Sequence, residues 1–421
     1  MQVQTHTLWQ ATPVDVEPGL RVEVSDSFTA FAQLQGPWAD LLTRDPDSGL
    51  FLSWPWLAEA FVRNPGRWKV LAVREGARNG RYLCFFPLKV RLHWSRSGGL
   101  LQTQLDPGGR LGFSEYVGFL CDPAEEGRAI PALARHLAST GWSDLELRYE
   151  PTGRRSRILA EAFPADAFRT VWQPYRINGG ETDNLVCPRI ALPATYEAYL
   201  ETGPGSNTRQ KIRRFTRRHI DTGDLRVTMT DAGTFDRDLD TMMGFWRTKW
   251  TPLKDPENLA ALEANYRRMM TDSLALDALV MPVIWRGDAP LGVMGGIADR
   301  ARGQLVFAVS GRDMASDDPA IGLLLHAHAI RWAIENGFAC YDFGHGDEPY
   351  KYTFGAVDAE VFNIRISRRA RDQQVFDPFC TPEALRRAQG FLETGKADEA
   401  LAILRQKIGR ASCRERVCLA V

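Results

Sequence analysis

The sequence predicts an α/β (α+β) fold built twice over, each half a mixed, mostly antiparallel sheet flanked by helices. Three observations lead there. One order of helical, strand-like, helical and strand-like runs occurs before residue 165 and again after residue 206. Each copy closes on the same local pattern of helix, glycine and aromatic-containing strand with a central Asp, PALARHLASTGWSDLELRYE in the first and HAHAIRWAIENGFACYDFGHG in the second. Between the copies, Gly203, Pro204 and Gly205 break the chain.

In chain order, LFLSWPWLAEAFV predicts a helix that stops at the turn signal Asn64, Pro65, Gly66. WKVLAVRE and RYLCFFPLKVRL follow as strands, being rich in β-branched and aromatic residues. SEYVGFLCD is a third, residues 129–139 a helix, and WSDLELRYE the closing strand. The second half opens with a helical segment around residues 235–250, then ALVMPVIWR, PLGVMGGIAD and QLVFAVSGR as strands. The helix PAIGLLLHAHAIRWAIEN stops at Gly337, and FACYDFG is the last strand. The expected division is an N-terminal half at 20–165, a connecting segment at 166–205, a C-terminal half at 206–376 and two amphipathic helices within 377–408. Those helices either pack on the core or meet a second subunit in a homodimer. Residues 409–421 read as a non-native tail.

Bulk composition excludes several function classes. Lys plus Arg and Asp plus Glu number 52 each, so no net charge draws the chain to DNA or to an anionic membrane. No apolar run is long enough to span a bilayer, and the N-terminus lacks a cationic segment followed by an apolar one, so a cytoplasmic location is expected. Seven Cys without a CxxC pair predict reduced thiols, with neither a disulfide framework nor a metal site.

Three segments carry candidate chemistry. In SNTRQKIRRFTRRHI, Arg209, Lys211, Arg213, Arg214, Arg217 and Arg218 crowd one helix whose Ile212, Phe215 and His219 share a side. Like charges at that density call for an anionic partner such as a phosphate, or else form a solvated face. In YDFGHGDEPYKYTF, Gly344 and Gly346 bracket His345 at a strand end, and Asp342, Asp347, Glu348, Tyr350 and Lys351 fill the same loop. In QLVFAVSGRDMASDDPAIGLLL, the start of a helix offers unpaired N–H groups to a phosphate, with Pro319 in its first turn, although Asp317 and Asp318 would cap it themselves. His326 and His328, two apart, face different ways and form no metal pair. Trp246, Lys249 and Trp250 read mainly as core and snorkelling residues that could also line a substrate cleft. There is no GxSxG elbow, Walker loop or HExxH zinc motif.

The segments FLSWPWL, SNTRQKIRRFTRR, PAIGLLL and YDFGHGDEPYKYTFGA, in that order, resemble the GNAT-fold acyltransferases, in particular the CelD-like cellulose-biosynthesis acetyltransferases and the related FemAB aminoacyl-transferases. The resemblance implies tandem GNAT-like domains and transfer of an acyl group from acetyl-CoA or another acyl-CoA to an amine of a small molecule or glycan precursor. It implies that acyl-CoA lies along Val309, Ser310 and Gly311, with its pyrophosphate over Ala320, Ile321, Gly322 and Leu323. Lys351 would contact a phosphate. The family's phosphate loop is represented only by Gly322, and members often carry Arg where His345 stands. An alkylamine is neutral only about once in 2,500 molecules at pH 7, so a base is required. His345 and Asp347 are the leading candidates, Asp342 and Glu348 the others, with Tyr350 or Tyr341 returning a proton to the leaving thiolate and the amides of residues 309–311 holding the oxyanion. The alternatives are a FemAB-like transferase using aminoacyl-tRNA and a non-catalytic scaffold.

Overall fold

Two sheets alternate their apolar residues between cores on both faces, which is why their strands read as unbroken apolar runs. Along the strand Trp68–Glu75, Val70 and Ala72 join Phe31, Trp38 and Phe61, while Leu71 and Val73 join Phe86 and Leu133 on the other face. The computed structural model describes residues 15–17, 19–76, 80–316, 320–370 and 375–406.

The first sheet runs Asp15–Glu17, Leu20–Ser25, Trp68–Glu75, Tyr82–Ser95, Leu100–Pro107, Asp144–Glu150, Phe362–Arg368 and Phe168–Trp172, with Leu120–Cys121 paired to Tyr82–Ser95. The second runs Arg189–Ala191, Cys340–Asp342, Gln304–Arg312, Ala289–Asp299, Pro282–Arg286 and Arg226–Met229, with Leu279–Val280 paired to Ala289–Asp299. Neighbours are antiparallel except at one place in each sheet. Helix Glu126–Ala138 returns the chain so that Asp144–Glu150 lies parallel to Leu100–Pro107. Helix Ala320–Glu335 does the same for Cys340–Asp342 beside Gln304–Arg312. The repeat expected from sequence is therefore present in the topology.

The chain crosses between the halves at both ends of the repeat. Phe362–Arg368 leaves the second half and pairs with Asp144–Glu150 and Phe168–Trp172 of the first sheet. Helices Thr381–Glu393 and Ala397–Arg405 follow it and bury Ala384, Ala388, Ala400 and Ile403 in the first core. In the other direction, Arg189–Ala191, from the connecting segment, pairs with Cys340–Asp342. The boundaries at 166, 206 and 376 thus divide the chain in sequence but not in space. Each parallel strand would otherwise expose an unpaired edge, and the crossing strands cover both.

The halves also share a core. Phe51 and Trp56 of the first pack with Phe235, Met242, Trp246 and Met270 of the second. Arg63 reaches both carboxylate oxygens of Asp272 across the same junction. Among the described residues, no helix is long and apolar enough to cross a membrane.

Candidate active site

The strands Gln304–Arg312 and Cys340–Asp342 lie side by side only from Gln304 opposite Cys340 to Val306 opposite Asp342. There the second strand ends and turns away, while the first continues to Arg312. The turn needs glycine. Gly344 has φ +66° and lies where a Cβ would sit 3.0 Å from Phe307 O, and Gly346 has φ +98°. A wedge opens between Phe307 and Gly344, leaving one edge of residues 307–311 without a strand neighbour. Gly311 serves the opposite purpose: a Cβ there would collide with Met242 O, so its absence lets helix Phe235–Trp250 rest directly on the strand.

Most of the titratable groups predicted at this turn are committed to holding it. Asp342 is fully buried, and its Oδ2 accepts from Tyr116 Oη at 2.6 Å, from Arg189 Nε at 2.7 Å and from Gln304 Nε2. Its Oδ1 accepts from Gly344 N at 2.7 Å. A carboxylate so saturated is a structural hub and not the general base that its position suggested. Asp347 accepts from Asp183 N at 2.7 Å and so ties the loop to the connecting segment. Lys351 is 2% exposed; its ammonium donates to His345 O at 2.7 Å and Gly346 O at 2.8 Å, and pairs with Glu348 at 2.9 Å. Its expected phosphate contact is corrected accordingly, because all its donors serve the turn and no face is left for a ligand. Tyr350 is exposed and remains free to meet a ligand.

His345 is held between the two halves. Its ring stacks on Tyr149, centroids 4.0 Å apart, and meets the Tyr116 ring at 5.6 Å. Nδ1 lies 3.2 Å from Cys187 Sγ, and Nε2 lies 3.0 Å from Glu115 O and 3.1 Å from Glu115 Oε2. Burial alone would strip the ring of its proton, but the charge and hydrogen bonds of Cys187 and Glu115 outweigh burial and raise its pKa to about 10. His326, by contrast, is buried against Tyr341 Oη at 2.8 Å, and burial, reinforced by Lys351, lowers it to about 3.

These two histidines bound stability from opposite sides. The His345 contribution is complete below its unfolded value of about 6.5 and is lost as pH rises toward about 10. The His326 contribution is present above about 6.5 and is lost as pH falls toward about 3. Denaturant titrations are expected to show maximal stability near neutrality, with His345→Asn flattening the alkaline decline.

The first half repeats the parallel pair but fills the equivalent place. Glu150 there accepts from Thr152 N, Thr152 Oγ1, Gly153 N and Ser156 Oγ, and Arg155, 1% exposed, pairs with Asp45 and Glu126. These bonds tie the end of strand Asp144–Glu150 to helix Arg154–Glu161 and to Asp45. A small cleft of about 40 Å³ lies between the halves, lined by Phe51, Tyr116 and Pro151 on one side and Arg189, Gln304 and Val306 on the other.

The remaining predicted residues separate by exposure. Val309 is buried, Ser310 half-buried, Ala320 and Ile321 are in the core, and Gly322 faces open space with Leu323 beside it. Asp317, Asp318, Pro319 and the tail 409–421 lie outside the described residues. In helix Ser206–Phe215 and the turn Thr216–Ile220, Ile212 and His219 are buried as their spacing predicted. Arg209, half-buried, donates to Glu201 O at 2.7 Å, capping helix Tyr196–Thr202. Lys211, Arg213, Arg214, Arg217 and Arg218 are exposed, and among the described residues none has a carboxylate within ion-pair distance. Trp246 is buried in the shared core, while Lys249 covers the Trp250 ring at 5.0 Å. Among the described residues no group of three or more His, Cys, Asp or Glu is placed to hold a metal ion.

Sequence reasoning missed Glu115, Tyr116, Tyr149, Cys187, Arg189 and Gln304. None stands in a motif, and only folding brings them to the turn.

Residues 206–352 match the family model described as acetyltransferase (GNAT) domain. The second half carries a GNAT acetyltransferase domain. That domain makes the protein an acyltransferase. No curated protein matches the sequence. Among solved structures, FemX superposes with a TM-score of 0.55 at 10% identity, covering 79% of this chain and 95% of that one. A tandem GNAT protein from the clavulanic acid biosynthesis pathway gives 0.45 at 9% identity over 83% of this chain and 99% of that one. L-PGS from Bacillus licheniformis gives 0.41 at 10% identity over 69% and 82%. The FemX match is a likeness of fold.

Proposed function

We propose that the protein is a cytoplasmic N-acyltransferase that moves an acyl group from acyl-CoA to an amine on a small molecule, such as a sugar nucleotide or a polysaccharide precursor of the kind that the CelD-like resemblance implies. The observation that carries this is the wedge at Phe307, where an unpaired strand edge faces a glycine turn. An extended pantetheine chain can add to such an edge by backbone hydrogen bonds, with the thioester carbonyl near the amides of Val309, Ser310 and Gly311. Gly322, with nothing within 4 Å of where a Cβ would be, leaves room for a phosphate against the helix backbone. Tyr350 stands exposed at the turn, where its hydroxyl could hydrogen-bond a bound ligand. The acceptor would enter by the cleft between the halves, where Arg189 and Gln304 can orient it. The test is release of free thiol from acetyl-CoA and longer acyl-CoAs with a panel of amino-sugar nucleotides; amine-dependent release is expected, and none with any pair would sink the proposal.

The exposed cations favour one other reading, an aminoacyl-tRNA donor gripped by the basic helix. Changing both Arg213 and Arg217 to Glu is expected to raise KM for acyl-CoA by about tenfold or more while leaving the melting temperature unchanged. Tight RNA binding by the unmodified protein, steeply weakened by salt and lost in that variant, would favour the tRNA donor instead.

A further inference from the structure

The acyl-transfer proposal leaves the proton unplaced, since Asp342, Asp347 and Glu348 are each bound into the turn. One pair at the same turn is built differently. Cys187 Sγ lies 3.2 Å from His345 Nδ1, and the far side of that ring lies 3.1 Å from the Glu115 carboxylate. A thiol, an imidazole within proton-transfer reach and a carboxylate orienting that imidazole are the parts of an activated nucleophile. Among the described cysteines, Cys84, Cys121 and Cys380 are buried without an imidazole partner.

The surroundings hold the pair in place. Cys187 N donates to Ala359 O at 2.7 Å, and Ala359 N donates back to Cys187 O at 3.3 Å, which fixes the backbone beneath the sulfur. Phe343 N donates to Pro188 O and Gly346 N to Val186 O, so the thiol flanks the very loop that opens the wedge. Tyr149 and Tyr116 fix the imidazole plane. The sulfur is buried, and Tyr116, which meets the His345 ring with its own, also lines the cleft between the halves.

We propose that Cys187 is a catalytic nucleophile that accepts the acyl group before the amine does. The inference rests on the acyl-CoA reading above. His345 takes the Cys187 proton as the sulfur attacks the thioester carbonyl; the Sγ–C bond forms, the bond from that carbon to the CoA sulfur breaks, and the leaving thiolate takes that proton from His345. The amine then attacks the acyl-cysteine; the N–C bond forms, the Sγ–C bond breaks, and the amine's proton passes to His345. His345 passes that proton to the freed sulfur, so the pair is restored and no other reactant is consumed. Glu115 is the positioning residue that holds the imidazolium.

The test has two arms. In the first, acetyl-CoA and longer acyl-CoAs are mixed with the full chain without acceptor, quenched in acid and mapped by peptide mass. One acyl group is expected on the peptide bearing Cys187, absent in Cys187→Ser and His345→Asn, with turnover of Cys187→Ser reduced more than about a hundredfold at an unchanged melting temperature. In the second, iodoacetamide is expected to label Cys187 ahead of the equally buried Cys84, Cys121 and Cys380, and His345→Asn to slow that labelling. Turnover of Cys187→Ser at the unmodified rate with no adduct would overturn the nucleophile and leave the acyl-CoA reading standing. Selective labelling that depends on His345, without turnover of any acyl-CoA, would uphold the thiol and overturn the donor. Neither turnover nor selective labelling would overturn both.

Discussion

Replacing Asp342 by Asn is expected to lower the free energy of unfolding by about 3–5 kcal/mol and to abolish acyl transfer. The carboxylate is wholly buried and neutralises Arg189, while Tyr116, Gln304 and Gly344 N share its oxygens. An amide keeps the shape but leaves Arg189 without its counter-charge and points N–H groups where donors already converge. Arg189 is 29% exposed in its side chain, so partial hydration pulls the cost toward the lower end. Urea titration should show a lower midpoint at an unchanged slope, since the residue fixes a turn and not the extent of the fold. Were Asp342 the general base and nothing more, kcat would fall while the midpoint stayed put.

Lys351→Met is expected to cost about 3 kcal/mol, because three backbone carbonyls of the turn lose their ammonium donor together. Glu348 loses its partner too, but at 32% side-chain exposure it can turn to water. The kinetic consequence is a fall in kcat, as Gly344 and Gly346 drift from the edge of Phe307 and the wedge loses its shape. A phosphate-binding lysine would behave otherwise, with KM raised and the melting temperature unmoved. Steady-state kinetics beside a thermal scan separates the two.

What the sequence disclosed was local. Gly344 and Gly346 announce a tight turn, Gly337 ends a helix, and the spacing of Ile212 and His219 fixes which side of the basic helix is buried. Each depends on residues within a few positions of one another. The cluster around the turn is another matter. Tyr116 is 226 residues from Asp342, Cys187 is 158 from His345, and Glu115 is 230 from it. Periodicity carries nothing about such pairs. Lys351 misled for a related reason: lysines are seldom buried, so a lysine in a charged loop reads as facing outward. Density of charge at the turn pointed to the right place, yet most of those charges neutralise each other instead of waiting for a substrate. The last strand, Phe362–Arg368, looks like an ordinary end to the second half, and nothing in its composition says that it completes the sheet of the first.

The central claim is that the wedge beside Phe307 takes an acyl-CoA, and the most direct measurement is thermal unfolding of the protein with CoA, acetyl-CoA and longer acyl-CoAs. Ligand at a hundredfold excess over its dissociation constant adds about 2.7 kcal/mol to the folded state, so one thioester is expected to raise the melting temperature by several degrees. Identical melting curves with every member of the series would contradict the claim.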